Sequence, residues 1–163
     1  MRRIKVVSES TDLVPILRAF DADVKRDLFQ RLIDNWMTAA QIEKEWGQPG
    51  LDALNLFEKT KLVETRWESV DGKTEKAYHS YYTAFHINTS CSVQEITEIL
   101  SVASMAESNF DKIDQELAAM VPAEGFSARA IAEKFNMPLI RLKSLLKRSS
   151  KLEFKGHLVK KLE

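Results

Sequence analysis

Gln48, Asp52, Asn55 and Lys59 step by three or four positions, so on a helix turning about 100° per residue they share one narrow arc. The amides of Gln48 and Asn55 carry the donor–acceptor pair that matches an adenine edge, and the Lys59 ammonium suits a guanine edge or a phosphate. Asp52 can accept from a cytosine amino group but repels phosphate, and Glu58 lies close by. The same arc also fits the solvated face of a protein-binding helix. A second set is cationic. Arg66, Lys73 and Lys76 surround the turn dipeptide Asp71-Gly72, and Arg141, Lys143, Lys147, Arg148 and Lys155 crowd the last quarter of the chain. Cations so placed neutralise phosphates, which anchors a duplex without reading it.

Other chemistry is poorly supplied. His79, His86 and Cys91 are spaced by seven and five residues, which matches no usual metal-ligand pattern, and the two histidines fall on opposite faces of a regular strand. Asp21 and Asp23 read as helix caps or first-turn acids. The chain has no Gly-rich phosphate loop and no nucleophile constellation. The expectation is therefore no enzyme, no cofactor, no metal and no obligatory small-molecule ligand.

The elements that must position these residues can be traced locally. Thr38 and Gln41 have capping-box spacing. Ala39, Ile42 and Trp46 continue a helix until Gly47 and Pro49 break it. A second helix keeps Leu51, Leu54 and Phe57 inward and the polar arc outward. Two short helices across a Gly-containing turn form a helix-turn-helix. Residues 62–68 alternate like a strand, Asp71-Gly72 marks a hairpin, and the aromatic-rich residues 76–87 return as its partner. Tyr78, Tyr81, Tyr82 and Phe85 occur on both strand faces, one for the helices and one for a neighbour. Upstream, Asp12 caps a first helix with Leu13, Ile16, Leu17 and Phe20 inward. A second carries Val24, Leu28, Leu32, Ile33 and Trp36 inward, and the pair forms a platform for the helix-turn-helix. Arg2, Arg3 and Lys5 precede any helix signal and read as a solvated terminus, or as a basic arm on phosphate.

Helix, turn, helix and hairpin make a winged helix. The run from Ala19 to Ile87 resembles the ArsR-like winged-helix transcription regulators, especially archaeal ones. Ala19-Phe20-Asp21-Ala22-Asp23-Val24-Lys25-Arg26 looks like that family's approach to its second helix. Phe57-Glu58-Lys59-Thr60-Lys61-Leu62-Val63-Glu64 resembles its passage from recognition helix to wing. The resemblance covers a little under half the chain. It implies transcription regulation on double-stranded DNA, and such regulators are usually dimers. The family's metal-sensing branch uses cysteines near the recognition helices. Residues 38–46 hold none, so metal sensing is not expected.

Beyond the wing, Ser92 and Glu95 form another capping box. Val93, Ile96, Leu100, Ala103, Ala106, Phe110, Ile113, Leu117 and Met120 then recur at helical spacing up to Pro122. Unbroken, that helix has about 28 residues and spans roughly 40 Å, with a strongly acidic outer side. It can join two small domains or pair with its own copy through Ile96, Leu100, Ala103, Phe110, Ile113 and Leu117. After Pro122 the plan returns in short form. Residues 126–136 form a helix, and Pro138 opens another whose Leu139, Leu142, Leu145 and Leu146 share one side, with cations filling most of the rest. A small hairpin follows about Gly156.

The resulting expectation is a mainly α chain with small β-hairpin wings. It has a winged helix at 8–89, a long linking or dimerisation helix at 92–121, and a second small winged helix-turn-helix at 122–163. Its 163 residues, 44% of them hydrophobic, can bury one good core or two small ones. One cysteine and no apolar run of membrane-spanning length suit a cytoplasmic protein without membrane contact. Net charge is zero, but from Pro122 onward ten basic residues face four acidic ones, whereas residues 1–121 hold fourteen against twenty. A basic tail on an acidic body favours a phosphate-binding C-terminal part. The expected function is a sequence-specific double-stranded DNA-binding transcription regulator, a homodimer. The alternative is a winged-helix protein-interaction module without direct DNA binding.

Overall fold

The structure, a computed structural model, describes residues 2–163. In chain order it forms β1 (Ile4–Val7), a 3-10 turn (Ser10–Asp12), α1 (Leu13–Ala19), α2 (Asp23–Asp34), β2 (Met37–Thr38), α3 (Ala39–Lys59), β3 (Val63–Val70), β4 (Lys73–Ser80) and β5 (Ala84–Ile87). Then come α4 (Val93–Ala103), α5 (Glu107–Met120), β6 (Phe126–Ser127), α6 (Ala128–Lys134), α7 (Leu139–Arg148), β7 (Leu152–Lys155) and β8 (Leu158–Lys161). These seven helices and small sheets among the described residues are compatible with a winged helix. The chain forms two compact units. One comprises the described residues up to Val7 together with Ala19–Asn88, the other Ser8–Arg18 with Thr89–Glu163.

In the first unit, α2 buries Leu28, Phe29 and Leu32 against Ile42, Ala53, Leu54 and Phe57 of α3, each side chain contributing roughly 1.5–3 kcal/mol. The capping box that starts α3 is complete: the Gln41 amide donates to Thr38 Oγ1 at 3.2 Å, and the Thr38 amide donates to Gln41 Oε1 at 2.9 Å. At Gly47 (φ 67°, ψ −154°) the helix kinks into two arms, a conformation that glycine adopts without steric cost. Gly50 lets those arms cross, since a Cβ there would lie 2.6 Å from Trp46 Cβ. The sheet runs β2-β4-β3, antiparallel throughout.

Three local expectations for this unit are corrected. The terminus around Lys5 is not a solvated tail, because β1 pairs in parallel with β5 and Val7 is fully buried. Residues 76–87 are two strands rather than one, interrupted at 81–83. No aspartate caps α2: its N-cap is Ala22, and Asp23 in the first turn pairs with Arg26.

The second unit centres on α7. One side of α7 packs on a core of Phe110, Leu117, Ile131, Leu152 and Val159. The other meets α4 and the 3-10 turn, where Val14 of α1 is buried with Ile99 and Ala103. The helix of residues 12–20 is thus divided. Ala19 and Phe20 at its end pack with Phe29 and Phe57 in the first unit's core, whereas residues 12–18 are not part of the platform that its apolar stripe suggests. They pack with α4, and Asp12 sits in the 3-10 turn. The long helix is also two: α4 ends at Ala103, and α5 starts at Glu107. The apolar spacing runs through the break because Ala103 and Phe110 are buried on either side of it. The sheet here runs β6-β8-β7.

Candidate nucleic-acid interface

The second arm of α3, residues 48–59, holds its apolar side in the first unit's core and leaves Gln48, Asp52, Asn55 and Lys59 exposed. Gln48 Nε2 donates to Asp52 Oδ1 at 2.9 Å, which occupies one amide hydrogen of the candidate adenine reader. Among the described residues Asn55 and Lys59 have no such partner, so the end of this arm is where donors stand open to a ligand.

The wing follows directly. Val70 faces Lys73 across a two-residue loop whose Asp71 and Gly72 have φ of 50° and 76°, the type I′ geometry that matches strand twist. Lys73 at its base is exposed and unpaired among the described residues. Lys76 is not free: its ammonium donates to Glu58 at 2.8 Å. That hydrogen bond raises its pKa above the ordinary lysine value against the opposing effect of desolvation. Arg66 bonds Glu68 at 2.8 Å and lies over the Trp36 ring at 4.1 Å. Trp36 in turn stacks on His79, whose Nδ1 is 3.3 Å from Glu64. Of the three wing cations, only Lys73 is left without a carboxylate. One feature escaped the sequence: Trp67, which alternation marks only as a strand residue, is 71% exposed.

In the second unit most of the predicted cations have acidic or aromatic partners, though Lys147 and Lys155 stay exposed. Arg141 donates to Glu98 at 3.1 Å and to Ser101, and Lys147 pairs with Asp12 at 2.7 Å. The Arg148 side chain is only 3% exposed. It donates to the carbonyls of Val102 and Met105 at 2.9 and 2.7 Å, bonds Glu107 at 3.0 Å, and lies over Phe110. Lys143 lies over the Phe154 ring at 5.2 Å, and Lys155 approaches Glu153 at 3.8 Å. α4 and the 3-10 turn thus lie against α7, and Arg141, Lys147 and Arg148 are engaged with them and with Glu107.

The acidic residues of 8–18 and 89–121, which fold with the basic tail, cancel its charge. Each unit carries twelve basic and twelve acidic residues among those described. Most residues of the expected dimer seam lie within this unit's own clusters. Phe110 and Leu117 are core, Ala103 is buried beside Val14, and Ile96 and Ile113 pack on these clusters. Of the six residues only Leu100 is substantially exposed, at 48%.

The model of the family described as ArsR transcriptional regulator matches residues 7–163. The chain belongs to that family. The ArsR match reaches far past the run 19–87 that carries the resemblance in sequence, and it takes in both units. No curated protein matches the chain. As an ArsR regulator the chain acts in transcription, and regulators of this family bind DNA. No helix among the described residues is long and apolar enough to cross a membrane.

Proposed function

We propose that this ArsR regulator binds double-stranded DNA sequence-specifically as a homodimer, and that the first unit does the reading. The observation carrying this is the exposed second arm of α3, where Asn55 and Lys59 stand unpaired beside a wing whose Lys73 is open. Asn55 reads a base edge, Lys59 a base or phosphate, and Lys73 a phosphate; Gln48 joins them only by giving up Asp52. Arg66 and Lys76 support the wing more than they contact the duplex.

The second unit repeats the order helix, strand, helix, helix, hairpin, and we read it as a second winged helix whose would-be reading helix is used as a core element. For dimerisation, Val93 and Leu100 lie seven residues apart on α4 and are 81% and 48% exposed, a spacing that suits a helix–helix seam.

Titrating a randomised duplex pool at two salt concentrations, and sequencing the bound fraction, tests the function. Enrichment of a motif is expected, and Asn55→Ala should relax preference at one position by about 1–3 kcal/mol. The few open cations should give a shallow salt dependence, near −0.9 per phosphate in logarithmic slope. Both units are charge-neutral and the reading arm carries Asp52 and Glu58, which favours a second reading, the protein-interaction module. No duplex binding at moderate salt, with a copurifying partner, would select it.

A further inference from the structure

The second unit holds a cavity of about 610 Å³, lined wholly by its own residues and of a size usual for small-molecule sites. Three elements wall it. Helix α7 contributes Lys143 and Lys147, four residues apart and so on one side of the helix. Strand β7 contributes Glu153 and Phe154, and the segment before α1 contributes Glu9 and Thr11. Two of the four charges are engaged: Lys147 pairs with Asp12 at 2.7 Å, and Glu153 has Lys155 at 3.8 Å. The other two are not. The Lys143 ammonium rests over the Phe154 ring at 5.2 Å, a contact that holds a cation in place without neutralising it. Glu9 is the exposed N-cap residue of the 3-10 turn, and its side chain caps nothing. Among the described residues neither Lys143 nor Glu9 is in a salt bridge, and they do not pair with each other. Thr11 completes the set. It is only 4% exposed, yet its hydroxyl bonds no other group among the described residues. The side-chain atom there that is both sealed from solvent and unpartnered is Arg148 Nε, so the Thr11 hydroxyl is open to the cavity that it lines.

We propose that this cavity binds a free amino acid. The ligand's carboxylate takes the Lys143 ammonium and the Thr11 hydroxyl, its ammonium takes Glu9, and its side chain lies along Phe154. The occupant follows from the charges left over. A simple anion answers Lys143 but is repelled by Glu9, and a simple cation does the reverse. A small zwitterion satisfies both through charge-assisted hydrogen bonds, and the buried hydroxyl supplies a third, neutral donor to its carboxylate. The site belongs to the second unit alone and does not rest on the DNA-reading function of the first.

Calorimetric titration of the full chain with each of the standard L-amino acids tests the proposal. At least one should form a one-to-one complex and raise the melting temperature, as a ligand of the native state does. Its N-acetyl and carboxamide derivatives, each lacking one charge, should bind at least about tenfold more weakly. Lys143→Met and Glu9→Gln should each weaken the free amino acid by a similar factor, and each should abolish one discrimination. Lys143→Met should no longer distinguish the carboxamide, and Glu9→Gln should no longer distinguish the N-acetyl form. A merely structural role for either residue does not produce that pairing. Circular dichroism of the unliganded variants checks folding, and Glu9→Gln, a change at an exposed position, carries the test if Lys143→Met does not fold. Binding by none of the amino acids, derivatives that bind as tightly as the parent, or variants of wild-type affinity would each overturn the proposal.

Discussion

A guanidinium buried with two carbonyl oxygens and an aromatic face, as Arg148 is, belongs to the fold before it can belong to any ligand. Sequence marks it as one more cation in a basic helix; its hydrogen-bond partners lie more than forty positions away, and no local pattern records them. Arg148→Ala leaves the Val102 and Met105 carbonyls without their donor. It should lower stability by about 2–4 kcal/mol in denaturant titrations, because orphaned buried groups cost more than the bond itself. Gly50 makes the opposite case. Glycine beside Pro49 was legible only as punctuation, yet its lack of a Cβ is what allows Trp46 to approach. Gly50→Ala should cost about 1–3 kcal/mol through overpacking and lower the melting temperature accordingly. Two groups of the first unit respond to alkali. The Tyr78 hydroxyl is pushed up by burial and the Lys76 ammonium by its bond to Glu58. A raised phenol in the folded state means that the unfolded chain ionises first, so stability falls from about pH 10 upward. The Lys76 contribution is complete below the ordinary lysine value and is lost as pH rises through the higher folded one. Unfolding followed from pH 8 to 11 should show a flat region and then a decline.

Among the elements, the helix-turn-helix and wing were readable because their signals are local. The Thr38–Gln41 box, the Gly47 and Pro49 break and the Asp71-Gly72 turn each act within a few residues. What failed were elements whose fate is decided elsewhere. The stripe of α1 says only that one side is apolar; that Ile99 covers Val14 is tertiary information. The spacing allows α4 and α5 to read as one unbroken helix because burial resumes in phase after the gap. The break itself depends on Ser104 bonding back to Leu100 and on Arg148 taking the freed carbonyls. Strand β1 was invisible because a parallel partner some eighty residues away leaves no mark on a short terminal run. The packing of α1 is testable at this scale. Val14→Asp should reduce amide-exchange protection in α4 and α7, far along the sequence, while leaving α2 and α3 as they were.

For the whole molecule, the count of charge along the chain proved a poor guide to charge in space. The tail's excess of six cations is met by residues 8–18 and 89–121, which hold eight acidic residues and two basic ones; Asp12, Glu98 and Glu107 among them pair with its cations directly. The candidate reading residues fared unevenly for the same reason: Asn55, Lys59 and Lys73 had no acid within reach, whereas Lys76, Arg141 and Lys147 did. Because both units are neutral, long-range steering toward DNA should be weak. Association rates measured by stopped flow should accordingly change little with ionic strength, whatever the equilibrium slope.

Residues 8–18 fold with a partner that the ribosome makes later. Translation at about 5–20 residues per second separates Val14 from Ile99 by roughly 4 to 17 s, while residues 19–88 already have what they need to close their own core. During that interval the nascent chain carries the apolar side of α1 uncovered, an obvious ligand for a holdase. Maturation of this regulator thus closes the unit of residues 19–88 before α1 is seated, although α1 is made first of the two.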